Sequence, residues 1–352
     1  MSAAEIDLAS TLIGVYLGAE LGELISIIGG GDYFTAAQIR LRIDSFSKPL
    51  KILSSKNIEQ LLATLIWHKF AKFRDLKGRP AYKVFLKDIT RILQYPRYLY
   101  HITEIFGARG ASMIETILLR GQLQASDIVD IELERERQSS TIDDEPELID
   151  EIRAIFKAMV ANRFLLKEPI LGSPIDQLDM PKLVPPTESA LIINFERHTQ
   201  DDKASAKIQK LDTSSFGPEY WSLNHDRFTH YIKDQLLVER ANLLCGQFAA
   251  GVLRNALRFC ELGTSCHTVQ YSISLMDIKK SCEEANIDFS ECSLESILDL
   301  LIRSDFLSKD GGTYTVRIRD VIERMTIDSG IYHQPESNNL LINHFRAAMD
   351  WN

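Results

Sequence analysis

The sequence has 352 residues and a net charge of −9, with 45% hydrophobic and 25% charged residues, which is average for a globular protein. This length predicts two or three domains, since domains usually have roughly 100–200 residues. The composition excludes wholesale disorder. The most apolar stretch, from Leu12 to Ile28, contains Glu20 and Glu23, which argues against a membrane span. Because the N-terminus also has no secretory signal, we expect a soluble intracellular protein.

The charges are distributed unevenly along the chain. Residues 1–110 carry 15 Lys/Arg against 10 Asp/Glu, residues 111–220 carry 12 against 21, and residues 221–352 carry 13 against 18. Between Arg40 and Arg97 there are 14 basic and only 4 acidic residues. Since salt screens charges over about 8 Å, a polyanion responds to such a local surface and not to the average charge.

A short pattern occurs three times in the chain. A helix ends in two apolar residues, three further residues follow, and a Phe then opens an extended segment. The copies are Leu65-Ile66 with Phe70, Met159-Val160 with Phe164, and Leu301-Ile302 with Phe306. The turn signal Asp310–Gly312 before Thr313–Val316 predicts a hairpin after the third copy. A helix followed by a hairpin is typical of a winged helix, so we predict a mainly α fold with small β-wings, built as tandem winged-helix domains.

Turn and composition signals divide the chain into five predicted segments. These are a first winged helix at 1–88, a second at 89–168 with an acidic insertion at 132–151, a Pro-containing linker at 169–218, a third winged helix with a leading helix at 219–325, and at 326–352 a tail or the start of a truncated fourth unit. We expect one helix from Thr11 to Ile28, and a capping box of Thr35 with Gln38 before the next helix. The acidic insertion should be a solvated loop, and Ala190–Phe195 a short strand.

No pattern of catalytic or metal-binding residues is found, so we expect neither enzyme activity nor a cofactor. Gly29–Gly31 follows a helix, which makes it a stop signal and not a phosphate loop. His225 and His230 are five residues apart, which places them on different helix faces and disfavours a shared metal. The five cysteines begin only at Cys245 and include no C-x-x-C pair, as expected for reduced packing cysteines.

The basic stretch is the strongest functional signal. The residues predicted to contact duplex DNA are Lys56, Gln60, Lys69, Lys72, Arg74, Lys77, Arg79 and Lys83. They fall on the third helix, the wing and the following segment of the first unit, where a winged helix can enter the major groove and touch the backbone. Because Asn and Gln base readers are sparse here, we expect backbone binding without sequence choice. A solvated face or a docking surface for an acidic protein remains open as an alternative.

Two local motifs carry a resemblance to a known family. The first motif lies in residues 89–129, with YPRY at 95–98, FG at 106–107 and LLRGQ at 118–122. The second is YWSLNHDRF at residues 220–228, followed by the helical sequence KDQLLVERANLL. Together they resemble the winged-helix subunit of RNA polymerase III, which is the largest member of its three-subunit initiation subcomplex. The likeness covers most of residues 8–325.

This resemblance implies a stack of winged helices without an active site, located in the nucleus. Such subunits sit on the polymerase clamp beside the two other members of the initiation heterotrimer, and they act in promoter recruitment and DNA opening. Family members also carry a fourth winged helix and a coiled coil, so we expect this chain, which ends at Asn352, to lack the family's C-terminal part. A free-standing winged-helix regulator and a winged-helix scaffold in a large complex are the alternatives. Trp221 should staple its helix onto the third unit or else contact a partner.

Overall fold

The computed structural model shows three small antiparallel sheets among many helices, which confirms the mainly α fold with small β-wings. Each sheet has three strands. No described helix is long and apolar enough to cross a membrane. The chain divides into two compact units: one holds the first module and most of the second, and the other holds the third module together with Ala161–Phe164. The structure describes residues 2–46, 54–139, 145–168, 193, 195, 219–263, 272–285, 287, 293–318 and 321.

The first module begins with a pair of helices. In chain order its elements are α1 (Ala3–Tyr16), α2 (Ala19–Ile28), β1 (Phe34–Thr35), α3 (Ala36–Phe46), α4 (Ser55–Trp67), β2 (Ala71–Asp75) and β3 (Pro80–Val84). The prediction of a single helix from Thr11 to Ile28 is wrong, because Gly18 adopts φ 120° and separates α1 from α2. The predicted capping box is confirmed, since the backbone N–H of Thr35 donates to Gln38 Oε1 at 2.8 Å.

The second module is built around a long first helix. After α5 (Leu86–Thr90) and a 3₁₀ turn, its elements are α6 (Tyr95–Arg120), β4 (Leu123–Gln124), α7 (Ala125–Ser139), α8 (Glu145–Ala161), β5 (Leu165–Lys167) and β6 (Tyr220–Leu223). Helix α6 changes direction at Gly107, where φ is 73°, and its C-cap is Gly121, where φ is 80°.

The predicted solvated loop at 132–151 is wrong in its described part. Helix α7 continues to Ser139 and α8 begins at Glu145, while residues 140–144 lie outside the described residues. Glu132 is buried, where Ser112 Oγ donates to it at 2.7 Å and Arg135 forms an ion pair with it at 3.1 Å. The charges of this segment therefore pack partly inward, because these hydrogen bonds compensate the buried carboxylate.

Strand β6 lies in the centre of the second sheet, whose order is β4-β6-β5. Trp221 is opposite both Leu123 and Lys167, and Leu223 is opposite Leu165. The prediction that this segment opens the third unit is therefore wrong, since its backbone completes the ladder of the second sheet. The segment predicted as a linker, 169–218, comes between β5 and β6 in the sequence, and apart from positions 193 and 195 it lies outside the described residues. The strand predicted at Ala190–Phe195 lies outside the described residues except for positions 193 and 195.

The third module repeats the plan of the first. Its elements are α9 (His225–Cys245), α10 (Gln247–Gly263), β7 (Ser272–Ser274), α11 (Leu275–Glu284), α12 (Leu294–Arg303), β8 (Leu307–Asp310) and β9 (Thr313–Val316). The predicted hairpin is confirmed, with Asp310 opposite Thr313. The apolar stripe of α12 is buried in a core that includes Leu298, Leu301 and Phe306. Residues 326–352 lie outside the described residues.

The sequence pattern that occurs three times corresponds to one recurring turn, which follows the helix before each wing, namely α4, α8 and α12. The residue before each Phe has a left-handed backbone, with φ of 62° at Lys69, 66° at Arg163 and 60° at Asp305. In the first and third modules the Phe N–H donates to the apolar residue five positions earlier, at 2.8 and 2.9 Å. This is a Schellman cap, which satisfies the last helical carbonyls and turns the chain into the wing.

The same Phe also closes each sheet. Its carbonyl accepts the N–H of the residue that follows the last strand, and the distance is 2.9 Å in all three modules. The donor and acceptor pairs are Phe85 with Phe70, Asn224 with Phe164, and Arg317 with Phe306. All three of these capping Phe side chains are buried. Strand β6 thus occupies in the second module the position that β3 and β9 occupy in the others.

Candidate nucleic-acid interface

The wing of the first module ends in a tight cationic turn. Leu76 and Arg79 exchange backbone hydrogen bonds of 2.8 and 3.2 Å, and the two residues between them, Lys77 and Gly78, have φ of 56° and 78°. Two positive φ values in a two-residue loop define a type I′ hairpin turn. The turn leaves the predicted residues Lys77 and Arg79 exposed at the tip.

The two faces of this wing differ in character. Side chains alternate along a strand, so Ala71 and Phe73 share one face of β2, and Lys72 and Arg74 share the other. Ala71 is buried in the core of the module, which identifies its face as the one toward the helices. Lys72 is directly opposite Lys83 of β3. We call the surface formed by Lys72, Arg74 and Lys83 the outer face of the first sheet.

Aromatic rings accompany each cation of the outer face. The Arg74 guanidinium carbon lies 3.9 Å from the centre of the Tyr33 ring, the Lys83 ammonium 5.8 Å from the same ring, and the Lys72 ammonium 5.2 Å from the Phe85 ring. Asp32 lies 3.8 Å from Lys83, but its side chain is 100% exposed, so this ion pair contributes little. The outer face therefore carries a net positive charge.

The exposed side of the third helix, α4, is not basic. Lys56 and Gln60 are exposed as predicted, but Glu59 is exposed beside them. Burial and the charge of Glu59 raise the pKa of Tyr82, which places this carboxylate near the side of the wing that faces the helices. One lysine and one glutamate on α4 largely cancel in their effect on a polyanion.

The predicted DNA contact Lys69 is used inside the chain. Its ammonium group forms an ion pair with Glu168 and donates to Ser222 Oγ at 2.6 Å. Trp67, at the end of α4, packs edge-on against Tyr220 with ring centres 5.1 Å apart. The C-terminal end of α4 is thus packed against the second module, so Lys69 is removed from the set of free phosphate contacts.

Trp221 belongs to the core of the second module. Its side chain is 2% exposed, and its ring meets Phe156 of α8 edge-on at 5.5 Å. The expectation that it staples a helix onto the third unit is wrong, because β6 holds it in the second sheet. The side chain of Phe195 packs against α8. Its ring centre lies 5.7 Å from that of Phe156 and 5.5 Å from the guanidinium carbon of Arg153.

The described histidines and cysteines show no shared site. Among the described residues no group of three potential metal ligands occurs. Burial lowers the pKa of His230 to about 4, which makes it a neutral side chain at physiological pH. Burial raises the pKa of the Cys282 thiol to about 11. Cys245 Sγ donates to Ser304 Oγ at 3.3 Å, and Cys282 is buried in the core of the third module.

Two features of the site were missed in the sequence. Tyr33 and Phe85 flank the basic stretch, and the alternation of aromatic and basic residues around them is the signal that could have shown the supported cations. The first and third copies of the repeat each have a return strand shortly after the Phe, and the second copy has none. This difference could have shown that β6 supplies the return strand of the second module.

Fold and site together define a mainly α protein of repeated modules, each with a small three-stranded antiparallel sheet, whose first wing is cationic. The family described as RNA polymerase III subunit RPC82 matches residues 178–325. The chain is also similar to curated proteins named DNA-directed RNA polymerase III subunit RPC3. The human protein (Homo sapiens) is 25% identical over 362 residues, the mouse protein (Mus musculus) 25% over 346, and the zebrafish protein (Danio rerio) 24% over 312. The resemblance predicted from the two motifs is thereby confirmed.

The similarity extends over most of this chain but over less than two thirds of each relative. The matches cover 92%, 88% and 77% of this chain for the human, mouse and zebrafish proteins. The chain spans only 64%, 61% and 57% of their respective lengths.

Proposed function

We propose that this protein is a non-catalytic subunit of RNA polymerase III that acts in transcription initiation in the nucleus. The observation that carries the proposal is the similarity to RPC3 subunits along 77–92% of the chain in the three relatives above. Three modules of one plan support it, because winged helices commonly serve as docking units for DNA and protein in place of an active site. The proposed partners are the two other members of the initiation heterotrimer and the polymerase clamp.

The proposed role includes weak contact with duplex DNA during promoter recruitment and DNA opening. The cations of the first wing support this contact, because Lys and Arg provide affinity for phosphates that does not depend on sequence. A subunit that follows DNA through an assembly needs no base preference. The exposed side of α4 supports the same view, since Gln60 and Asn57 are its only amide side chains suited to base edges.

Affinity purification of the tagged chain from nuclear extract tests the assignment. We expect the other RNA polymerase III subunits to co-elute in fixed ratio and to be identified by mass spectrometry. A Phe164→Ala variant, which disrupts a buried turn, serves as the control for dependence on the fold. A chain that elutes alone as a dimer and selects one DNA sequence would instead be a free-standing regulator, and a chain that elutes with other proteins and binds no DNA would be a scaffold.

A further inference from the structure

We propose that the first module binds the phosphate backbone of nucleic acid on the outer face of its sheet, and not through α4. This inference rests on the proposed DNA contact and adds the surface that makes it. The conventional arrangement of a winged helix would place the third helix in the major groove. The charges and contacts of this module favour the opposite side of the wing.

The distribution of charge is the first argument. The outer face presents Lys72, Arg74 and Lys83, and among the described residues the acid paired with it is the fully exposed Asp32. The exposed side of α4 presents Lys56 beside Glu59. A phosphate chain is attracted to the first surface, whereas attraction and repulsion nearly balance at the second.

The second argument is the placement of like charges. Lys72 and Lys83 are directly opposite each other in an antiparallel pair, where like charges are destabilising. A phosphate between the two ammonium groups would turn this repulsion into two charge-assisted hydrogen bonds. The repulsion between Lys72 and Lys83 therefore destabilises the unliganded protein, and a bound anion would remove this destabilisation.

The third argument is preorganisation. The Arg74 guanidinium is held 3.9 Å from the Tyr33 ring centre, and Lys72 lies 5.2 Å from the Phe85 ring centre. Ala81, opposite Arg74, is fully buried, as expected if the stack of Arg74 on Tyr33 covers it. Cations that already rest on rings lose less conformational entropy when they meet a phosphate.

The fourth argument is that α4 is already engaged. Its last turn packs against the second module through Trp67, and Lys69 is paired with Glu168. A Cβ atom added at Gly121 would come within 2.6 Å of the Trp67 ring, which shows how closely α6 approaches this end of α4. A helix with one end covered in this way has only its first turns free to enter a groove.

Equilibrium binding of the full chain to a labelled duplex, measured by fluorescence anisotropy across a salt series, tests the inference. The outer-face variant is Lys72→Gln with Arg74→Gln and Lys83→Gln. The matched control removes three exposed charges elsewhere, with Lys87→Gln, Arg97→Gln and Arg120→Gln. A third variant, Lys56→Gln with Gln60→Ala, tests α4. Thermal unfolding checks that all three variants are folded.

We expect the outer-face variant to flatten the slope of log affinity against log salt by up to about 2.7 units, because each phosphate contact contributes about 0.9. The control and the α4 variant should change the slope by less than about 0.5 unit by the same relation. Equal flattening by the control, or flattening by the α4 variant alone, would overturn the inference while leaving the DNA contact in place. No duplex binding by the unaltered chain would overturn the DNA contact itself. In that case, loss of co-eluting chains from the outer-face variant would identify the face as a protein-docking surface.

Discussion

Lys69 and Glu168 form an ion pair that joins the end of helix α4 in the first module to the wing of the second module. Ser222, on the central strand of that wing, donates to Glu168 and accepts from Lys69. The Glu168 side chain is only 11% exposed, so its charge depends on these two partners. A residue predicted from sequence to touch DNA thus connects two modules of one compact unit.

A double-mutant cycle at this pair measures the connection. If either partner is removed, the charge of the remaining one stays partly buried without its counter-charge. Lys69→Ala and Glu168→Ala should therefore each destabilise the first unit. The double variant should cost less than the sum of the two, with a coupling of roughly 0.5–3 kcal/mol, as for residues in direct contact. Urea unfolding supplies the free energies. Strict additivity would mean that the pair does not couple the modules.

Trp221 is expected to be a stability residue of the second module. Trp221→Ala should cost roughly 3–5 kcal/mol, because it leaves a large cavity beside Phe156. Leu119→Ala, at a position that is 54% exposed, is the control and should cost well under 1 kcal/mol. Denaturant unfolding followed by circular dichroism gives both values. If Trp221→Ala left stability unchanged, the placement of β6 in the second sheet would be wrong.

Gly121 is expected to tolerate no side chain. Its φ is 80°, and a Cβ atom would lie 2.6 Å from the Trp67 ring and 3.0 Å from the Trp67 carbonyl oxygen. Gly18 has a φ of 120° with no atom within 4 Å of such a Cβ, so Gly18→Ala measures backbone strain alone. Gly121→Ala should lower the thermal midpoint clearly more than Gly18→Ala. Equal shifts would show that Trp67 moves aside freely.

The wing turn offers a stabilising change. Lys77 adopts a φ of 56° at the first central position of the type I′ turn, where Asn is favoured before Gly. Lys77→Asn should therefore raise the free energy of unfolding by a few tenths to about 1 kcal/mol, since Asn tolerates the left-handed region better. Lys77→Val, with a β-branched side chain, should lower it. The two thermal midpoints provide the measurement, and the reverse order would contradict the assigned turn.

Acidification should destabilise the first module through His68. Burial against Tyr16 and Phe70 lowers its pKa from 6.5 to about 4, so the folded state holds it neutral. Below pH 6.5 the unfolded chain binds a proton that the folded chain does not, so stability falls between pH 6.5 and 4 and is unaffected above that window. His68→Gln should flatten the stability profile of the module in this range. An unchanged profile would show that the ring is solvated.

The sequence was most informative where one pattern depended on one local structure. In this chain the turn after the helix combines an apolar helix end with a Phe at a fixed spacing. The three copies around Phe70, Phe164 and Phe306 could therefore be found in the sequence directly. The position of β6 could not, because the pairing of Trp221 with Leu123 joins residues 98 apart, and periodicity carries no information about such a partner.

The candidate site was predicted in position but not in detail. The cations of the wing could be placed on two strands, because Gly78 and Pro80 mark a turn between the strands. That Lys72, Arg74 and Lys83 share one face depended on the register that sets Lys72 opposite Lys83. The ion pair that withdraws Lys69 from DNA contact depended on Glu168, which is 99 residues away. The break at Gly18 was missed because both helices bury the same apolar stripe, so the helical period continues across it.

The central position of β6 has a consequence for synthesis on the ribosome. Domains that emerge first usually fold first. The second module, however, has only its two outer strands when Lys167 leaves the exit tunnel, and the strand between them arrives more than 50 residues later. Until then two strand edges have no hydrogen-bonding partner, a state that favours association with other chains. In the first and third modules the central strand follows the preceding strand after only a short turn, so the second module spends the longest stretch of translation with an incomplete sheet.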